Sequence, residues 1–437
     1  TGTMDGWAAE TTAPRQLERI SSSWSDKLGS FLIFLVVLSS FYQKSTPGES
    51  KPVLFDLVLI VCMGFFFALG LKFPRGLAWP VVMWGLVLAG YGIGGVGAEY
   101  GDKVISFIEV ATYLTCAFIF FSSYVFVDAE RRMRLIFNAY AIAGVVAALG
   151  GIAGYFGIGP ASLNFTTFGR ATGTFNDPNV YGPYLIAPAL YLGLRLSKAQ
   201  DARALLLLPL IGILVLGILL SFSRGAWGNF LLSGGVFVML TLATSKSAAQ
   251  SARLVAFAAF MGLMVVGVVG FALTSPKVQQ LFEQRAALVQ DYDVGNEGRF
   301  DSQRRAFTMA VKNPLGIGPE QWAMINKLDT HNVYLNVFVA GGFISIIGFV
   351  GFLGMTFVSG KRAVFRDGPG QEYLIVVYAC IVGHMTEAFI IDVDNWRHLF
   401  LLFGLAWGAI LAAQVEAVAP PRRTPRDQAH LIPGFTA

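Results

Sequence analysis

Charge is scarce in this chain. Of 437 residues only 14% are Asp, Glu, Lys or Arg, whereas 55% are hydrophobic and the mean hydropathy is +0.60. Soluble domains carry roughly 25% charged residues, so a soluble globular protein is excluded and an integral membrane protein is implied. Cysteine is nearly absent. The three present, Cys62, Cys116 and Cys380, share no metal-ligand spacing, which excludes a disulfide framework and leaves them as small apolar core residues. There is no Walker lysine motif, no H-E-x-x-H and no C-x-x-C pair. Gly92-Ile-Gly-Gly-Val-Gly97 satisfies G-x-G-x-x-G, but it closes an apolar run instead of following a strand, which argues against a nucleotide site. Period-two alternation and internal repeats are also missing, excluding an outer-membrane barrel and a repeat array.

What the chain has in quantity is long apolar runs. A spanning helix needs about 20 mostly apolar residues. Twelve stretches qualify, near 28–43, 53–71, 77–95, 104–127, 133–157, 178–196, 204–221, 225–244, 252–273, 332–357, 371–391 and 397–414. The expected fold is an all-α polytopic membrane protein with about twelve transmembrane helices. Residues 1–27 form a cytoplasmic N-terminal segment, 28–273 helices one to nine, 274–331 a long periplasmic loop, 332–414 the last three helices and 415–437 a cytoplasmic tail. The first helix is expected to act as an uncleaved insertion signal, since the preceding residues lack the order of a cleavable one. The Pro- and Arg-containing tail reads as disordered.

Orientation follows from the positive charge. With the N-terminus inside, the inner segments carry 19 of the 32 Lys and Arg residues; the short outer loops carry only Lys44, Lys51, Lys103, Arg170, Arg224 and Arg397. Cytoplasmic loops retain Lys and Arg, so both termini are expected in the cytoplasm and the long loop outside. The net charge of +5 is then a topology signal, with no nucleic-acid partner implied. Within the long loop, Val278, Leu281, Leu288 and Val289 predict one amphipathic helix; Phe300, Phe307, Ala310 and Val311 predict a second, with Arg304 at its apolar edge. Pro314-Leu-Gly-Ile-Gly-Pro319 predicts a turn that redirects the chain.

Four polar patches interrupt the apolar sequence: Arg170–Asn179, Ser221–Gly225, Gly298–Arg305 and Thr330–Asn332. On this topology all four emerge on the outer side. Arg224 stands in the break of an otherwise apolar run, with Ser223 beside it. A central arginine costs about 2.5–3.5 kcal/mol to insert, so it belongs at the surface or against a polar cavity. Two readings stay open: a snorkelling arginine at a hairpin turn, or a guanidinium fork for phosphate oxygens. Asp177 before Pro178 reads as a helix cap. Arg170 contacts either headgroup or ligand, and Arg299 and Arg304 either ligand or water. His331, in the expected first turn of a helix capped by Thr330, is either an interfacial histidine or a proton acceptor. His384 and Glu387 form a second buried polar pair on one helical face, and Asp392, Asp394, Arg397 and His398 cluster in the last outer loop.

Taken in order, Gly173-Thr-Phe-Asn-Asp-Pro-Asn179, Ser223-Arg-Gly225, Gly298-Arg299, Asn313-Pro-Leu-Gly-Ile-Gly318 and His331-Asn332 with Gly342 beyond resemble the bacterial O-antigen ligase and O-antigen polymerase family. The resemblance spans about 30–415. It implies a multi-spanning, GT-C-like glycosyltransferase of the inner membrane that moves a glycan from undecaprenyl diphosphate to an acceptor hydroxyl on the periplasmic side. It further implies inversion, no metal and no cofactor, with membrane lipids and a glycan or lipid A core acceptor as partners. On the family pattern Arg224 and Arg299 hold the diphosphate and His331 acts as base at the acceptor hydroxyl. The candidate site adds Arg170 and Arg304 as further diphosphate contacts, with Asn332, Asp177, Asn179 and Ser223 in support. Fixed guanidinium groups suit a departing diphosphate on chemical grounds as well. Gly342-Phe-Ile-Ser345 departs from the glycine and aromatic ending of many lipid A core ligases, which leaves the acceptor open among lipid A core, repeat units, exopolysaccharide and protein. The competing class is a transporter or flippase of lipid-linked glycans, which should show related halves and midplane charges. Neither is evident in the sequence.

Overall fold

A computed structural model describes residues 24–44, 53–159, 162–201, 205–272, 279 and 298–418. Helices fill each of the twelve expected apolar stretches. They are α1 (Trp24–Ser39), α2 (Leu54–Ala68), α3 (Ala78–Gly94), α4 (Gly101–Val127), α5 (Ala129–Tyr155), α6 (Pro178–Tyr184), α7 (Ile186–Lys198), α8 (Leu207–Leu220), α9 (Arg224–Thr244) and α10 (Ala248–Ala272). After the long loop come α11 (Arg299–Lys312), α12 (Gln321–Asn326), α13 (Val333–Val364), α14 (Gln371–Glu387) and α15 (Arg397–Val418). Among the described residues, six helical segments are long and apolar enough to cross a membrane, and α2 and α8 are apolar but shorter. The expected amphipathic helix around Val278–Val289 lies outside the described residues, as do 1–23 of the expected N-terminal segment and 419–437 of the expected tail, whereas 24–27 belong to α1 and 415–418 to α15.

The stretch expected as one span near 178–196 is two helices that meet at Leu185. The reason is Pro188, which has no N–H to give the Tyr184 carbonyl four residues earlier. Tyr140 supplies the missing donor, its hydroxyl standing 3.1 Å from Tyr184 O. Ahead of α6, Thr166–Thr167 and Arg170–Ala171 form a two-residue antiparallel hairpin, a local departure from the all-α expectation. Its turn residues Phe168 and Gly169 both have positive φ, as a type I′ turn requires.

Contacts between loops sort the chain into two ends. At one end Gln43 N donates to Thr174 O (3.0 Å), Tyr100 N to Gln321 Oε1 (3.0 Å), and Arg397 pairs with Asp56. At the other, Arg131 meets Asp26 at 2.6 Å, Lys246 meets Asp367 at 2.6 Å and Lys198 meets Glu372. Each of these contacts joins loops expected on the same side from charge counting.

The expected turn at 314–319 is built into a helix break. α13 is non-helical at Gly342 (φ 62°, ψ −156°), a region open essentially to glycine. The break leaves carbonyls unpaired. Ile317 N fills Val339 O and Gly318 N fills Ala340 O, both at 2.9 Å, while Phe343 N donates to Pro314 O at 2.9 Å. α3 closes on the same spot through Gly90 and Gly94, which leave no room for a Cβ against Ser345, Gly341 and Ala340. Within the G-x-G-x-x-G match, Gly94 serves this helix packing, whereas a Cβ on Gly92 or Gly97 would meet open space.

Candidate functional site

The first two polar patches meet through Arg170. Held on the hairpin, it donates from Nε to Ser221 O at 2.8 Å and from Nη2 to Asn179 Oδ1 at 2.7 Å. Asp177 is the N-cap of α6, its Oδ1 accepting Asn179 N at 2.7 Å, with Pro178 in the first helical position. Ser223 caps α9 by accepting Ala226 N at 3.2 Å, and Phe222 takes a left-handed φ of 46° to reverse the chain. Arg224 is therefore the first helical residue of α9. Asp177 and Ser223 have the helix-capping roles that their residue types suggest.

Next to Arg224 the backbone touches Glu387. A Cβ on Gly225 would stand 2.6 Å from Glu387 Oε1. The other oxygen, Oε2, accepts Asn229 Nδ2 at 2.7 Å, and Asn229 Oδ1 in turn accepts the Ser233 hydroxyl at 2.8 Å. Oε1 is buried with no hydrogen-bond partner among the described residues. Asp177 lies close enough to act on Glu387 electrostatically. His384 and Glu387 are both buried, as expected, and each bonds to a different helix: His384 Nε2 lies 3.2 Å from His398 Nε2, while Glu387 turns to α9. Residues three apart share a helical face only approximately, and each of the two found a different neighbouring helix.

The last two patches meet in the same region. Ala388, which follows Glu387, accepts Val333 N at 2.9 Å, and the Tyr334 hydroxyl reaches Met385 O at 2.8 Å. Asp392 then gathers the whole Thr330–Asn332 segment. Its carboxylate accepts the Thr330 hydroxyl, His331 N and Asn332 N, each at 3.0 Å. The cap of α13 is Asn332, whose Oδ1 accepts Leu335 N at 3.1 Å, so the expected cap Thr330 is corrected. His331 precedes the helix with φ 47°, outside its first turn. α11 docks on this segment: Ser302 Oγ donates to Asp329 O (3.4 Å) and Gln303 Nε2 to His331 O (3.3 Å).

Arg299 opens α11 behind the cap Gly298. The apolar face expected on this helix is also corrected. Ser302, Ala306 and Ala310 are buried against Trp322, Phe338 and Val339, whereas Phe300, Phe307 and Val311 are exposed. Small residues allow close approach to α13, leaving the aromatic stripe to face outward. Arg304 faces outward too, 81% exposed and 2.8 Å from Asp301. No described contact joins it to the other candidate residues.

Burial pushes the Asp392 carboxyl up to about 7, opposed by the Thr330 hydroxyl, raised further by Asp329 and lowered by the two backbone N–H groups. Asp394 is likewise pushed up to about 7 by burial and by the charges of Asp392 and Glu320. It accepts Asn336 Nδ2 at 3.1 Å. Arg397, expected in the same cluster, instead forms a bidentate pair with Asp56 at 2.8 and 2.7 Å. Among the described residues no three His, Cys, Asp or Glu side chains converge as metal ligands would.

Two participants went unread in the sequence, Asn229 and Asp56. Signals existed for both, since Asn229 breaks an apolar helix with Ser233 four residues on, and Asp56 is the sole charge between 53 and 71. Residues 209–350 match the family model described as O-Antigen ligase. The matched segment contains Arg224, Arg299, Arg304, His331 and the Gly342 break, and it ends before Glu387 and Asp392. No curated protein matches the chain.

Proposed function

We propose that this chain, a member of the O-antigen ligase family through its 209–350 segment, is a twelve-span glycosyltransferase acting at its outer end. It takes a glycan from undecaprenyl diphosphate and joins it to an acceptor hydroxyl on the periplasmic side of the inner membrane, with both termini cytoplasmic. The observation that carries the reading is the continuous contact path from Arg170 through the Ser221–Gly225 turn, Glu387 and Ala388 to the His331 segment. Polar patches far apart in sequence would not need to converge if each merely snorkelled separately.

In this reading Arg224 and Arg299 hold the diphosphate, and Arg170, Asn179 and Ser223 fix the turn that presents Arg224. His331 takes the proton of the acceptor hydroxyl as its oxygen attacks the anomeric carbon. The bond from that carbon to the diphosphate oxygen breaks, with inversion, and the arginines stabilise the charge that leaves. Asp392 positions the base by fixing the backbone on both sides of it. Glycan, repeat unit and lipid A core remain alternative acceptors of the same chemistry.

The test uses purified protein in liposomes with an undecaprenyl-diphosphate-linked oligosaccharide and a panel of acceptors. Wild type should transfer the glycan, His331→Ala should lose about 10²–10⁴-fold in rate, and Arg224→Ala should lose activity comparably. Normal transfer by both variants, or a glycan that stays on its carrier with every acceptor, refutes the reading. Flipping of the lipid-linked glycan without transfer would establish the carrier class instead.

A further inference from the structure

At the end of the molecule opposite the candidate site, α1, α4 and α5 enclose a cavity of about 280 Å³ lined by Asp26, Tyr124, Arg131, Arg132, Arg134 and Leu135, among others. Three guanidinium groups face one carboxylate. Asp26 is engaged with Arg131 at 2.6 Å, and Arg134 has no ion-pair partner among the described residues. Arg132 is fixed in advance: its guanidinium carbon lies 4.2 Å from the Tyr124 ring centroid, and Nη1 donates to the Tyr124 carbonyl. A guanidinium already immobilised on an aromatic face loses little freedom when it takes an anion. Retention of positive charge in inner loops accounts for arginines in this segment, but it does not require them to converge on one cavity with a tyrosine.

The cavity's depth and size indicate what it takes. Trp24, two residues before Asp26, is 77% exposed, and Phe31 on the same helix is 56% exposed. A spanning chain places exposed tryptophan at the level of the lipid headgroups and exposed phenylalanine against acyl chains, so the arginines stand at headgroup height. Ligand pockets commonly run from about 300 to 1,000 Å³, so this half-open cavity of about 280 Å³ matches a small charged headgroup. We propose that the Arg131–Arg132–Arg134 cavity binds the phosphate of an anionic membrane lipid on the face opposite the transfer site. Basic pockets between spanning helices recognise such headgroups by charge and by paired hydrogen bonds. This site rests on the membrane-spanning reading alone and is independent of the transfer chemistry.

The experiment follows the thermal stability of the full chain, delipidated in detergent, as phosphatidylglycerol, phosphatidylcholine or inorganic phosphate is added. Phosphatidylglycerol should raise the midpoint saturably and phosphatidylcholine should not. The exposed-face double variant Arg131→Gln/Arg134→Gln should weaken the apparent affinity at least tenfold. Asp26→Asn, which removes the competing carboxylate, should strengthen it and so provides a test of opposite sign if the double variant folds poorly. A variant-sensitive shift with inorganic phosphate that phosphatidylglycerol fails to produce would support the same phosphate chemistry with a free anion as its source. Equal responses to phosphatidylglycerol and phosphatidylcholine, or an affinity unchanged in both variants, would overturn the proposal.

Discussion

Asp392 Oδ2 accepts the backbone N–H of His331 at 3.0 Å, from the far side of α14 and sixty-one residues along the chain. The other carboxylate oxygen takes Asn332 N and the Thr330 hydroxyl. A single acid thus holds the proposed base, with its left-handed backbone, in front of α13. An amide cannot replace it, because an asparagine side chain at this position would present its own N–H₂ to one of the N–H donors. Asp392→Asn is therefore expected to lower the transfer rate about 100-fold, the scale of a misplaced reacting group. Donor affinity should hardly change. Equal losses in affinity and rate in single-turnover measurements would contradict a positioning role.

The same carboxyl and its neighbour set a pH dependence of stability. Burial raises Asp392 and Asp394 to about 7, above the unfolded value of about 3.9, so between those limits the folded protein binds protons that the unfolded chain does not. That stabilisation is fully present below the unfolded value and is lost as pH rises through about 7. Acidification from pH 8 to 5 should accordingly raise the unfolding midpoint, by at most about 1.4 kcal/mol per pH unit for each group. Asp329, Glu320 and Lys103 face the same region and modulate the size of the effect. Asp394→Asn should flatten the profile in thermal scans at three pH values; a midpoint that falls throughout on acidification would exclude this assignment.

Gly342 is expected to tolerate no side chain. Its φ of 62° with ψ −156° disfavours any L residue, and a Cβ there would collide with the Pro314 carbonyl. Gly342→Ala should destabilise by more than about 2 kcal/mol, combining backbone strain with displacement of the 314–318 turn. Chemical denaturation in detergent micelles measures this directly. A near-neutral result would mean that the helix break is dispensable.

Much of this architecture was legible because its signals are local. Twelve apolar runs gave helices in twelve places, and Asp177-Pro178 gave a cap, since length and capping chemistry act within a few residues. Partnership across helices was not legible. His384 and Glu387 could be read as buried polar residues that mark function or helix pairing, but not which helices they would meet, which are reached through His398 and Asn229. The aromatic stripe of α11 was misread for a related reason. Spacing shows which residues share a face but not which face packs, and here the tight interface goes to Ala306 and Ala310 while Phe300 and Phe307 are exposed. The turn at 314–319 could be read as a turn, but its function in completing the broken α13 depends on a helix that begins fourteen residues later.

Arg397 and Asp56 provide a test of structural against catalytic charge. Their side chains are 18% and 6% exposed and paired bidentately, joining α2 to α15. Removing one partner leaves a buried charge, so Arg397→Ala or Asp56→Ala should each cost about 3–5 kcal/mol. The double change Arg397→Met/Asp56→Leu should recover most of that loss. Glycan transfer per folded molecule should stay near wild type in the double variant, and a transfer defect that persists after stability is restored would move this pair into the site.

The arginines themselves should separate by environment. Arg304 is 81% exposed and already balanced by Asp301 within its own helix, and an exposed pair of this type contributes roughly 0–1 kcal/mol to stability. Arg304→Ala should therefore leave transfer within about twofold of wild type. Arg224 stands one residue from Gly225, whose backbone packs against Glu387, so its backbone lies in the convergent region. A lysine there keeps the charge but loses the planar fork that grips two phosphate oxygens together. Arg224→Lys should weaken transition-state stabilisation by about 1.5–3 kcal/mol, roughly 10- to 100-fold in kcat/KM, with part of the activity of Arg224→Ala restored. If lysine substitutes fully, the residue supplies only charge, and the bidentate diphosphate reading fails. If Arg304→Ala is as damaging as Arg224→Ala, the diphosphate is held further along α11 than the contact path at Glu387 implies.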